Sequence, residues 1–246
     1  MELGLAGRTA LVMGASSGLG LASAQSLREE GANVVMLARR EELLRQEAER
    51  ISATPVVGDV HRTADLERAI QTAAETYGGL DILVLNGGGP PPGSAQAVSE
   101  ESIQQSVSLL LKPAVAAVNA ALPHLRASGQ GRIISISSVS VREPVDGLAL
   151  SNAVRPGVWG YLKTLSRELG QAGITVNLVA PGRIATARLT ELFGGDPPPA
   201  AADGIPAGRL GQPEELGAVV CFLASARASY LSGVLIPVDG GLSRSL

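Results

Sequence analysis

The chain of 246 residues has one cysteine, two histidines, one tryptophan, two phenylalanines and three tyrosines. A lone cysteine cannot close an intrachain disulfide, which fits a reducing, cytoplasmic setting. Cys221 sits in the apolar run 219–223 and reads as core filler rather than nucleophile. Two distant histidines, His61 and His124, leave no ligand cluster with metal spacing, so no metal is expected. So few aromatics leave no platform for stacking bases. The net charge is −3 with both signs spread along the chain, so neither nucleic acid nor an anionic membrane surface is expected as a partner. No apolar run approaches membrane-spanning length. The opening Met1-Glu2-Leu3-Gly4 lacks the basic and apolar regions of a signal peptide.

Glycine is abundant, and its placement is informative. Met13-Gly14-Ala15-Ser16-Ser17-Gly18-Leu19-Gly20 follows the apolar run Ala10-Leu11-Val12 and leads into a helix-like segment. In a strand–loop–helix unit, Gly14 allows a tight turn, Gly18 lets backbone approach a pyrophosphate, and Gly20 lets helix and strand pack closely. The helix N-terminus then offers free N–H groups and a positive dipole end to an anion. A glycine triplet alone can be a mere turn; its place at the first β–α junction strengthens the nucleotide assignment.

Strand-like and helix-like runs alternate through the chain. Strands are expected at 9–13, 33–37, 55–57, 82–85, 133–136, 175–179 and 234–238. Helices are expected at 18–29, 41–51, 64–77, about 100–125, roughly 158–169 and 213–223. Ser99 reads as an N-cap with Glu100 and Glu101 in the first turn, and Pro113 and Pro123 read as kinks. The stretch 186–211, rich in Gly, Pro and Ala, reads as a flexible flap on the substrate side. Apolar strands without alternation, separated by helices, imply a parallel sheet covered on both faces. The expected architecture is α/β: one Rossmann-type, doubly wound domain over 1–246, binding ligands beyond the carboxyl ends of its strands.

The motifs together resemble the short-chain dehydrogenase/reductase family over essentially the whole chain. They are the glycine loop, Gly58-Asp59-Val60, Leu85-Asn86-Gly87-Gly88, 131–138 ending in Ser138, 177–182 ending in Pro181-Gly182, and Val238-Asp239-Gly240-Gly241. The nearest flavour is the 3-oxoacyl-[acyl-carrier-protein] reductase. The resemblance implies a nicotinamide dinucleotide and hydride transfer between it and a small-molecule carbonyl or alcohol. It places Gly14, Ser16 and Leu19 at the pyrophosphate, with Ser17, Gly18 and Gly20 counted in the same cofactor-binding loop, Asp59 and Val60 at the adenine, and Asn86 and Gly88 at the adenosine ribose. Pro181, Gly182, Ile184 and Thr186 fall at the nicotinamide end. It also implies a homotetramer or homodimer, through the 99–125 and 158–169 helices and the last strand. Val115, Val118, Leu122 and Leu125 would offer an apolar face for that contact.

Two local features modify these expectations. Where an acidic residue would take ribose hydroxyls, the chain has Ala38 followed by Arg39 and Arg40. A guanidinium suits a 2′-phosphate, so NADP is favoured over NAD, with Arg39 the candidate. The family also uses an Asn–Ser–Tyr–Lys set. Ser138 matches the serine, but Ser151 stands at the tyrosine position, Arg155 at the lysine position and Leu110 at the asparagine position. An alkyl hydroxyl is a far weaker acid than a phenol. Arg155 can hold ribose hydroxyls but cannot relay a proton. Pro156 is expected to kink a helix or begin one, re-aiming Ser151. Glu143 and Asp146 are alternative acids in the following loop, with solvated loop carboxylates the better reading of both; Tyr161 lies too far along the helix. Two functions follow: an NADP-dependent oxidoreductase acting on C=O or CH–OH groups with altered proton transfer, catalytic positions Ser138, Ser151 and Arg155, or a catalytically degenerate dinucleotide-binding protein serving as sensor, scaffold or partner subunit.

Overall fold

Residues 2–245 are described by a computed structural model. Seven strands, β1 (Thr9–Met13), β2 (Asn33–Ala38), β3 (Thr54–Val57), β4 (Ile82–Leu85), β5 (Arg132–Ile136), β6 (Thr175–Pro181) and β7 (Leu235–Val238), form one sheet. Their order is β3-β2-β1-β4-β5-β6-β7, and every pairing is parallel. The order reverses between β1 and β4, which opens a crevice at the carboxyl ends of those two strands.

The helices are α1 (Gly18–Glu29), α2 (Glu41–Arg50), α3 (Thr63–Tyr77), α4 (Glu100–Ser128), α5 (Ala149–Glu168), α6 (Ala187–Phe193) and α7 (Pro213–Ala224). Strand side chains alternate between faces, so β1 feeds two cores. Ala10 and Val12 join Leu27 of α1, Leu44 of α2, and Leu216 and Val220 of α7. Leu11 and Met13 join Leu66 and Ile70 of α3, Ala117 and Leu125 of α4, and Leu162 and Leu165 of α5. All five β1 residues are buried, which explains why this strand has no polar alternation.

Three elements depart from expectation. The helix expected from about 158 begins at Ala149 and runs straight through Pro156. Burial of Leu150, Ser151 and Val154 holds the early turns in place despite the N–H that proline lacks. The 186–211 stretch contains α6, capped by Thr186 and ended by Gly194 in the left-handed region, and a 3-10 turn at Pro199–Ala202. Ser99 caps α4 in a reciprocal box with Ser102, and that helix passes through both Pro113 and Pro123. With 29 residues and a mean hydropathy of 1.4 over its most apolar window, α4 is long and apolar enough to cross a membrane, contrary to expectation. Its Ala114, Ala117, Val118, Ala121 and Leu125 are instead buried against the sheet layer. Val118 and Leu125 are thus core residues, unavailable to an intersubunit face; Val115 and Leu122 remain partly exposed.

Candidate functional site

The crevice at the switch point is a cleft of about 600 Å³, within the size range of small-molecule sites. Its floor is the glycine loop. Gly14 and Gly18 have φ of 61° and 56°, the left-handed region that glycine enters at no steric cost. A Cβ on Gly20 would strike the Gly14 carbonyl and come within 2.7 Å of the Asn86 amide. Gly20 therefore does not line the cleft; it lets α1 close against β1. Ser17, the N-cap of α1, makes no side-chain cap. Free N–H groups at that helix end are a ready anion seat. Gly14, Ser16, Ser17, Gly18 and Leu19 line the cleft there.

Arg39 and Arg40 both border the cleft beyond the end of β2. Their roles differ. The Arg39 side chain is 73% exposed and reaches only Asp59, at 3.9 Å. Arg40 donates to the Ser16 hydroxyl (3.1 Å) and to the Ser17 hydroxyl, so it is fastened to the glycine loop. The sequence singled out Arg39; the contact that makes Arg40 notable joins residues 23 and 24 apart and leaves no mark in the local pattern.

Val60 and His61, after β3, line the cleft wall; Asp59 does not. Desolvation pushes the Asp59 carboxyl up, but hydrogen bonds from His61 outweigh it and hold the group below the ordinary range. The Asn86 amide donates to the Met13 and Gly14 carbonyls (3.1 and 3.3 Å). Asn86 thus ties β4 to the turn after β1, and this amide is engaged with backbone rather than aimed at a ribose. Gly88, Pro181, Gly182, Ile184 and Thr186 complete this part of the lining.

At the other end, Ser138, Ser151 and Arg155 are brought together, joined by Ser137. Ser138 lies two residues beyond the end of β5, and its hydroxyl accepts from the Ser140 N–H (3.1 Å). Ser151 is buried. Its hydroxyl accepts from Arg155 Nε at 3.0 Å and lies 3.2 Å from the Ser140 hydroxyl. Arg155 also reaches Ser137 Oγ at 3.5 Å. Burial pushes the Arg155 guanidinium down to about 10, and the Arg188 charge adds to the shift; it is still a cation at neutral pH. Leu110 packs beside Arg155 in a side pocket and supplies no polar atom. Sequence reasoning missed Ser140 and Arg188.

The alternative acids are elsewhere. Glu143 accepts from the N–H groups of Arg244 and Ser245, tying down the C-terminal segment. Asp146 is exposed, and neither carboxylate lines the cleft. Burial, then Glu168, raises the Tyr161 pKa, and partly buried Tyr161 packs against the core instead. Cys221 is buried between α1 and α7. Among the described residues no group of His, Cys, Asp and Glu could hold a metal ion.

The same fold recurs in known proteins. A family profile described as "Enoyl-(Acyl carrier protein) reductase" matches residues 14–243. The human dehydrogenase/reductase SDR family member 4 is 33% identical over 244 residues, covering 96% of this chain and 88% of the relative. The 3-oxoacyl-[acyl-carrier-protein] reductase FabG of Vibrio cholerae is 34% identical over 242 residues, covering 98% and 99%. Among solved structures, the L-sorbose reductase of Gluconobacter frateurii, complexed with NADPH and L-sorbose, superposes with a TM-score of 0.91 at 32% identity over the whole of both chains. The 3-ketoacyl-(acyl-carrier-protein) reductase of Brucella melitensis, complexed with NADH, gives 0.90 at 32%, covering 97% of this chain and 99% of that one. With its glycine loop, switch-point cleft and Ser138 wall, the chain belongs to the short-chain dehydrogenase/reductase family of oxidoreductases.

Proposed function

We propose that the protein is an NADP(H)-dependent oxidoreductase that interconverts a small-molecule carbonyl and alcohol, with an altered proton-transfer apparatus. The observation that carries this reading is the continuity of one cleft. It runs from Arg39 and Arg40, across the uncapped N-terminus of α1, to Ser138. The residues fit a dinucleotide: an anion seat at the helix end, positive-φ glycines under it, and guanidiniums where a 2′-phosphate would lie. Solved relatives include complexes with either NADPH or NADH, so the choice between them rests on this chain's own Arg39 and Arg40.

When bound, the nicotinamide supplies the hydride. Ser138 then polarises the carbonyl oxygen through its hydroxyl, and Arg155 orients the ribose. Ser151 stands where a phenol would donate the proton. Its hydroxyl is a poor acid and already accepts a bond from Arg155, which stabilises the hydroxyl oxygen but leaves no relay behind it. The engagement of Ser151 with Arg155 and Ser140 favours a second reading, a catalytically degenerate dinucleotide-binding protein acting as sensor, scaffold or partner subunit. The 186–211 segment, carrying α6 and Thr186 over the cleft, acts as its lid. A cytoplasmic homotetramer or homodimer completes the proposal, with partly exposed Val115 and Leu122 of α4 in the contact.

Titrating NADPH and NADH, then measuring turnover on a panel of 3-oxoacyl thioesters and simple ketones, separates the readings. Binding of NADPH with slow turnover supports the enzyme; binding with none supports the degenerate form; no binding of either dinucleotide rejects both. Sedimentation showing only a 25.1 kDa species rejects the assembly.

A further inference from the structure

The ionisable side chains on the cleft wall are unbalanced. Arg39, Arg40, Arg155 and Arg188 are cationic, His61 is the one histidine, and Glu191 is the single carboxylate. Two of the arginines belong to the phosphate end already described. Arg155 has a place beside the nicotinamide ribose in that reading, but Arg188 has none: the ribose carries no charge to neutralise a second guanidinium, and the nicotinamide ring is itself cationic when oxidised.

Arg155 and Arg188 come from different elements, α5 and α6, and meet above the 87–89 loop. Both Nη2 atoms converge on one point, 3.2 and 3.6 Å from where a Cβ of Gly89 would sit. A side chain at 89 would fill the space between them; glycine leaves it open. Arg155 uses Nε and Nη1 on serine hydroxyls, and its Nη2 has no protein acceptor among the described residues. Arg188 donates to the Pro90 carbonyl (2.9 Å) and to Glu191 (3.2 Å). That ion pair is solvent-exposed, with side chains 42% and 66% accessible, so it is screened and does little to neutralise Arg155. Two guanidiniums held this close, one of them partly buried and without a counter-ion among the described residues, repel each other unless an anion bridges them.

We propose that Arg155 and Arg188 form a seat for the carboxylate of the molecule bound beside Ser138, so that the preferred ligand is an oxo- or hydroxy-carboxylate. This rests on reading the cleft as a dinucleotide-and-substrate site and names the substrate class for it. The planar fork of arginine matches a carboxylate in two parallel bonds. The pyrophosphate has its own seat at the N-terminus of α1. Arg155 would otherwise mimic the lysine of related sites and touch only the ribose; the approach of Arg188 is what turns the position into an anion site.

The test is binding, read by titration calorimetry with and without NADPH present. Acetoacetate, levulinate and 3-hydroxybutyrate are compared with their methyl esters. The wild type should bind at least one acid about ten- to a hundredfold more tightly than its ester. Arg188→Gln should abolish that preference while NADPH affinity stays within about threefold, and Arg188→Lys should keep part of it. Arg188 is half exposed on α6, so thermal melts should match the wild type. Equal binding of acids and esters, or binding of no probe at millimolar concentration, overturns the proposal. So does Arg188→Gln lowering NADPH affinity as much as acid affinity, which would reassign the residue to the cofactor phosphates. Failure of the wild type to bind NADPH, with the acid preference intact, would defeat the dinucleotide reading and leave the anion seat standing.

Discussion

Replacing Arg40 by alanine is the sharpest probe of cofactor choice. Arg40 is held over the glycine loop by its bonds to the Ser16 and Ser17 hydroxyls. Its guanidinium is therefore positioned before any ligand arrives, and little side-chain entropy remains to be lost on binding. A charge-assisted bond from such a group to a 2′-phosphate is worth about ten- to a hundredfold in affinity. Arg39 differs: it is 73% exposed, and its only ionic partner among the described residues is Asp59 at 3.9 Å. A screened, mobile cation of that kind contributes about fivefold or less. Arg40→Ala should thus weaken NADPH by about ten- to a hundredfold, Arg39→Ala by a few-fold, and neither should change NADH by more than about twofold. The assay is a fluorescence titration of both dinucleotides at low and physiological salt. A parallel loss of NADPH and NADH in Arg40→Ala would mean that Arg40 only braces the loop. A larger effect of Arg39→Ala than of Arg40→Ala would refute the ranking.

Gly20→Ala should cost about 1–3 kcal/mol of stability, seen as a lower unfolding midpoint, and should abolish dinucleotide binding, because the added methyl meets Gly14 backbone that cannot swing away. Cys221, its thiol pushed up to about 12 by burial and by Glu30 and Glu29, stays protonated at pH 8 and should react with a thiol reagent only when the protein is unfolded. The double substitution Ser151→Tyr with Arg155→Lys should raise carbonyl reduction by about a hundred- to ten-thousandfold, the range of a general acid; if it does not, even with Pro156→Ala added, the missing phenol is not what limits turnover.

The middle of the sheet was legible because β1 and β4 are fully buried: both carry uninterrupted apolar runs, and both fall where the sequence puts them. The start of α1 was equally legible, fixed by the glycines that turn the chain into it. The start of α5 was not. Pro156 is a strong local breaker, yet burial of Leu150, Ser151 and Val154 outweighs it, and tertiary packing of that kind is invisible in a local pattern. In 186–211 the abundance of Gly, Pro and Ala hid α6, although Thr186, the Arg188–Glu191 pair and Gly194 are ordinary cap and i,i+3 signals. The same limit applied to the cleft. Motif positions pointed to Ser138, Ser151 and Arg155, which line one cleft, whereas the bonds from Arg40 to the loop and the approach of Arg188 to Arg155 join separate elements.

The central claim, an intact dinucleotide cleft coupled to a weakened proton donor, is tested most directly by one paired measurement on the unmodified protein: NADPH affinity and steady-state reduction of a 3-oxoacyl thioester. The account predicts ordinary NADPH binding with turnover about a hundredfold or more below the roughly 10 per second typical of enzymes. Turnover at tens per second would contradict it, and would mean that a group other than Ser151 donates the proton.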